Sequence, residues 1–184
     1  GDGFATVTER GFVLGTAPDP TVDDIKMAVT PAGLGSFTRL VAGLTPDTTY
    51  HYRAYAINEI GIGYGADMTL GTLPAAPVAI QASHVTGSSF TARWNAVTGA
   101  TGYTLDVSTN SGFTQMVSGY NGLAIGPVLS YTVSGLSPVT PYYYRVRVTT
   151  ANGTSQSSNT IGVSTTQLTQ SITFPALPAE LDRA

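Results

Sequence analysis

Two stretches of this chain alternate apolar and polar positions with period two, each directly after a Leu-x-Pro turn. In the first, Tyr50, Tyr52, Ala54 and Ala56 fall on one face and His51, Arg53, Tyr55 and Ile57 on the other. In the second, Tyr142, Tyr144, Val146 and Val148 oppose Tyr143, Arg145, Arg147 and Thr149. This period predicts half-buried strands with the Arg-bearing face in water. Further strand-like runs cover Ser89–Trp94, Gly102–Thr109, Ser130–Ser134 and Thr160–Thr165, with turn residues such as Asn110–Gly112 and Asn121–Gly122 between them. No helical stretch is long enough for a βαβ unit. The pattern therefore predicts an all-β sandwich or barrel.

The two alternating stretches are copies of one unit. GLTPDTTYHYRAYAINEIG from Gly43 and GLSPVTPYYYRVRVTTANG from Gly135 align without a gap. Leu44/Leu136, Pro46/Pro138, Thr48/Thr140, Tyr50/Tyr142, Tyr52/Tyr144 and Arg53/Arg145 coincide. A period of about 90 residues marks tandem domains, since solenoid repeats run at roughly 20–50.

Leu136-Ser-Pro-Val-Thr-Pro-Tyr142 and the strand after it resemble the E–F corner of a fibronectin type III domain, where a tyrosine hydroxyl bonds back to the preceding turn. Trp94 at the end of one strand and Tyr103 at the start of the next sit where such domains place core aromatics. The resemblance runs from about Pro77 to Thr166. It extends to the first copy in a variant form, where Thr8-Glu-Arg-Gly-Phe-Val-Leu-Gly-Thr-Ala-Pro-Asp-Pro-Thr21 looks like the third strand and its turn. Setting Leu14–Thr21 on Val107–Thr114 shifts the offset by one and makes Phe12 and Leu14 core-facing. The fold implied is two tandem immunoglobulin-like (fibronectin type III) β-sandwiches. Residues 1–74 form an incomplete first domain lacking its opening strands, and residues 75–166 a complete second one. Tyr50, Tyr142, Trp94, Tyr103, Leu44 and Leu136 are the expected structural residues. Residues 167–184 form an extended tail in which Leu168, Gln170, Ile172 and Phe174 alternate with Thr169, Ser171 and Thr173. The tail reads either as the start of a further repeat or as a donor strand (Leu168, Ile172 and Phe174 inward) for the open first domain of a neighbour.

Composition narrows the function. Charged residues are 10% of the chain, against about 25% in ordinary soluble proteins. Thr, Ser, Gly and Pro fill the difference. The net charge is −3 and Lys26 is the single lysine, so the clustered cations of a nucleic-acid binder are missing. No apolar run approaches the roughly 20 residues that span a bilayer. Without cysteine there is no disulfide framework and no thiolate nucleophile. The chain opens with neither Met nor a leader-like segment. It reads as a protein whose leader has been removed or as part of something longer.

Candidate chemistry is sparse. His51 and His84 lack metal-ligand spacing and read as solvated surface residues. Asp19, Asp23 and Asp24 cluster near a turn without the spacing of a calcium loop. Gly61-Ile-Gly-Tyr-Gly65 opens no helix and reads as the F–G turn, not as a phosphate loop. Asn152-Gly-Thr154 fits an N-glycosylation pattern but is equally a common turn. Tyr55, Tyr120 and Tyr143 are candidate exposed aromatics for stacking on a sugar or anchoring a protein. The link from Gly71 to Pro77 is short and its two prolines stiffen it. No cofactor or metal is expected. The expected role is a non-enzymatic structural or adhesive spacer of an extracellular or cell-surface bacterial protein. The alternatives are a filament subunit assembled by strand donation and a carbohydrate- or protein-binding accessory module. The expected partners are neighbouring domains, other copies of the chain, or a surface glycan or protein.

Overall fold

The computed structural model describes residues 5–168, all of it strands and connecting loops. The N-terminal half forms one antiparallel sheet. Its strands are β1 (Glu9–Gly15), β2 (Ile25–Ala28), β3 (Thr49–Asn58), β4 (Gly61–Tyr64) and β5 (Met68–Gly71), in the order β2-β1-β3-β4 with β5 also on β3. The C-terminal half forms two sheets. One holds β6 (Ala79–Ser83), β7 (Ser89–Trp94) and β10 (Ser130–Ser134) in the order β10-β7-β6. The other holds β8 (Gly102–Ser108), β9 (Leu123–Ala124), β11 (Pro141–Thr150), β12 (Gly153–Thr154) and β13 (Ile161–Ser164), in the order β12-β11-β8-β9 with β13 on β11. The chain is all-β, and its two-sheet C-terminal half has the architecture of an immunoglobulin-like sandwich.

Period-two alternation places the core. Along β11, Tyr142, Tyr144, Val146 and Val148 are buried, and each intervening residue is half-buried. They face Phe90, Ala92 and Trp94 of β7 across the sandwich. Trp94 and Tyr103 pack with ring centroids 5.6 Å apart, and Phe90 stacks on Tyr144 at 5.7 Å. At about 25 cal/mol per Å² of apolar area, this enclosed cluster is the main source of stability in the C-terminal half.

Pairing registers fix how the two halves correspond. Arg53 of β3 pairs with Val13, and Arg145 of β11 pairs with Asp106. Tyr52 pairs with Leu14, and Tyr144 with Val107. Positions of β1 therefore map onto β8 with the one-residue shift read from the sequence. Phe12, at the Leu105 position, points to the inner side, and Arg10 takes the place of Tyr103. The sheet in the N-terminal half corresponds to the β8–β11 sheet. No strand among the described residues corresponds to β6, β7 or β10.

Three expectations for the outer face are corrected. The Arg-bearing face is not left to water. Arg53 lies 4.6 Å over the Tyr64 ring and reaches the Gly65 carbonyl oxygen at 2.9 Å, with Asp19 at 3.4 Å. His51 is not solvated, since its Nδ1 lies 2.6 Å from an Asp67 carboxylate oxygen. Gly61–Tyr64 is a strand paired with β3, and the turn itself is Asn58–Gly61. Arg53 takes its partners from loops folded over the sheet because the strand residue paired with it is the apolar Val13.

Candidate functional site

Both Leu-x-Pro corners have the same geometry. The Tyr50 hydroxyl accepts the Thr45 amide at 3.1 Å, and the Tyr142 hydroxyl accepts the Ser137 amide at 2.9 Å. Hydrogen bonds from Thr45 hold Tyr50 below the ordinary tyrosine range. Asp47 and Val139 both adopt left-handed backbone, at φ 51° and 50°. The Thr48 amide donates to the Thr72 hydroxyl and the Thr140 amide to the Thr165 hydroxyl, each at 3.0 Å. Asp47 N–H meets the Leu73 carbonyl and Val139 N–H the Thr166 carbonyl, each at 3.2 Å. Beneath these matched corners, Leu136 is buried but Leu44 only half-buried.

That difference opens a groove. Phe12, Leu14, Met27, Val41, Leu44 and Tyr52, together with Leu70 and Arg39, line an apolar cavity of ≈ 160 Å³ on the inner face of the N-terminal sheet. The segment from Ser36 to Gly43 runs beside it without a backbone hydrogen bond among the described residues. Its counterpart β10 pairs along its length with β7. One end of the groove is closed from within. Arg10 lies 4.9 Å from the Phe37 ring and donates to the carbonyls of Pro31, Gly33, Leu34 and Gly35 at 2.8–3.2 Å, and Phe37 packs on Phe12 at 5.0 Å. Arg10 stands where Tyr103 stands in the C-terminal half.

A polar clasp joins the two halves. Asp47 Oδ1 accepts the Thr150 hydroxyl at 2.5 Å and the Asn152 amide nitrogen at 3.2 Å. Thr49 donates to Asn152 Oδ1 at 3.3 Å. The chain passes so close that a Cβ on Gly153 would lie 2.8 Å from Leu73. The sequence marked neither Asp47 nor Asn152 as a contact. Its one available signal was that the two corners differ at this position, Asp47 against Val139.

The candidate binding aromatics fare differently. Tyr55 is corrected from surface to interior: it is 2% exposed and its hydroxyl donates to Glu9 at 2.6 Å. It lies opposite Gly11, where a Cβ would strike the Met27 carbonyl oxygen on the neighbouring strand. Burial, then the Glu9 bond, push Tyr55 up to about 12, while Tyr55 and Lys26 hold Glu9 below the usual carboxylate range. Tyr120 is half-buried, its hydroxyl accepting the Ser134 amide at 2.9 Å. Tyr143 is half-buried against Gly162. Tyr50, Tyr142, Trp94 and Tyr103 all lie in the interior. Leu168 is 63% exposed, while Ile172 and Phe174 lie outside the described residues. The buried polar centre of the C-terminal half is Asp106, which accepts from Arg145 at 3.0 Å, Arg147 at 3.3 Å and the Gly122 amide at 2.7 Å.

Residues 75–164 match the fibronectin type III domain. Fibronectin type III domains are generally non-catalytic structural or binding modules. Among solved structures, the chain is similar to the chicken CNTN1 FN1-FN3 domains, at 18% identity over 86% of this chain and 56% of that one, with a TM-score of 0.39. It is also similar to the 6th fibronectin type III domain of human fibronectin type III domain containing protein 3, at 24% identity over 54% of this chain and 90% of that one, with a TM-score of 0.38. No helix among the described residues is long and apolar enough to cross a membrane.

Proposed function

We propose that this chain is a non-enzymatic structural module of an extracellular or cell-surface bacterial protein, two fibronectin type III-like units held end to end as a spacer. The clasp of Asp47 on Thr150 and Asn152 carries this reading, because it joins the short linker in resisting bending between the units. A spacer needs a fixed length more than a reactive site. Small-angle scattering tests it directly. The intact chain gives one narrow distance distribution, and Asp47→Ala broadens it while leaving circular dichroism unchanged. An equally broad distribution in the unmodified chain overturns the reading.

The groove favours a second role, as a strand acceptor. An apolar face beside an unpaired backbone segment is the arrangement that β-strand addition exploits. The tail residues Leu168, Ile172 and Phe174 are the candidate donor, supplied by another copy, which would make the chain a filament subunit. A synthetic peptide of Gln167–Phe174 binds a chain ending at Thr166 if this holds, and slows amide exchange from Phe37 to Ala42. No change in exchange at saturating peptide rejects it. Tyr55, being buried, does not contribute an exposed aromatic to a carbohydrate-binding role.

A further inference from the structure

Each half of the clasp occurs twice in this chain, and only one pairing is made within it. The corner half is the left-handed residue after Leu-x-Pro, Asp47 in one unit and Val139 in the other. The turn half is the third residue of the turn after the long strand, Ile60 in one unit and Asn152 in the other. These turns match: the Ile60 amide donates to the Asn58 side chain at 2.9 Å, and the Asn152 amide to the Thr150 hydroxyl at 3.2 Å. Asp47 meets Asn152 inside the chain, polar on polar. The unused halves, Val139 and Ile60, are both apolar and are 67% and 81% exposed.

Single exposed apolar residues are ordinary. Two observations set this pair apart. Val139 is β-branched and sits at φ 50°, a conformation that favours Gly, Asn or Asp. Its position also follows from an interface already built: the chain leaves the second corner through the same Thr165 and Thr166 hydrogen bonds that Thr72 and Leu73 make at the first. A Cβ on Gly61 would meet nothing within 4 Å, so the surface beside Ile60 is open, whereas the equivalent Gly153 lies against Leu73.

We infer that the Val139 corner of one copy docks on the Ile60 turn of a second copy, repeating the internal joint head to tail. Such a contact is heterologous and does not close on itself, so it extends into a row. It is weak without a covalent linker, because the internal joint benefits from high effective concentration. It uses neither the groove nor the tail, so it stands or falls independently of the strand-acceptor reading.

The chain has no cysteine, which makes oxidative trapping selective. Copies carrying Val139→Cys are mixed with copies carrying Ile60→Cys under mild oxidant. As controls, each is mixed with Leu34→Cys, a site 91% exposed and outside the joint. Cross-linking of the Val139/Ile60 pair is expected to run about 10-fold faster than either control, equivalent to roughly 1.4 kcal/mol of preference. In sedimentation, the unmodified chain shows a concentration-dependent coefficient. Val139→Lys abolishes that dependence, and adding Ile60→Glu to the partner copy restores it. Equal trapping rates for all pairs, or sedimentation unaffected by Val139→Lys, overturn the inference.

Discussion

Tyr52 and Tyr144 occupy equivalent positions on β3 and β11, yet Tyr144 is fully enclosed and Tyr52 lines an open groove. The Tyr144 ring stacks on Phe90, and its hydroxyl bonds the Ile80 carbonyl and accepts the Arg93 amide at 3.2 Å. All three partners belong to β6 and β7, which have no counterpart among the described residues of the N-terminal half. Two residues earlier, Tyr50 and Tyr142 make the same hydroxyl contact with residues only five positions away. The corner is a local structure that a short sequence specifies wherever it occurs. The core is non-local and forms only where a second sheet supplies the facing side chains.

Core truncation breaks the comparison most sharply. Phe90→Ala costs the C-terminal half about 3–5 kcal/mol, whereas Phe12→Ala costs less, because Phe12 is only half-buried. Denaturant unfolding followed by Trp94 fluorescence reads the first effect, and denaturant-dependent amide exchange of β1 and β3 reads the second. Asp106→Ala comes next, at about 3 kcal/mol, since it strands Arg145 and Arg147 on a half-buried face. The N-terminal half has no equivalent loss, as Val13 stands at that position. Tyr50→Phe and Tyr142→Phe cost about 1 kcal/mol each, and equal costs are the signature of a local corner.

The smallest effect is on pH dependence. Folding raises Tyr55 to about 12 from an ordinary 10 by burial and the Glu9 bond. The unfolded chain therefore loses its proton first, and the stabilisation, complete below pH 10, declines as pH rises toward 12. Glu9 behaves in the opposite sense. Its lowered value gives stability above its ordinary range that fades as pH falls through the folded value. Tyr55→Phe removes the alkaline decline in the N-terminal half, read by thermal melts at pH 9 and 11.

What the sequence revealed divides along the same line. The strand pattern, the corner tyrosines and the shifted placement of Leu14 on Val107 all rest on contacts close in sequence or on period-two alternation. The buried position of Tyr55 was not visible, because its hydroxyl partner Glu9 lies on another strand 46 residues away. The replacement of Tyr103 by Arg10 also escaped notice. An arginine on an inner face looks like an error of register until its guanidinium is seen among four carbonyls and a phenylalanine ring. The clasp was hidden because Asp47 and Asn152 are 105 residues apart.

Amide hydrogen exchange, read by peptide mass spectrometry, most directly tests the claim that the N-terminal half presents an unpaired edge beside an open groove. Amides from Phe37 to Ala42 should exchange nearly as fast as an unstructured chain, while those of Tyr131 to Ser134, bonded to β7, stay protected. Equal protection of the two segments would contradict the account, since it would mean that something already pairs the edge.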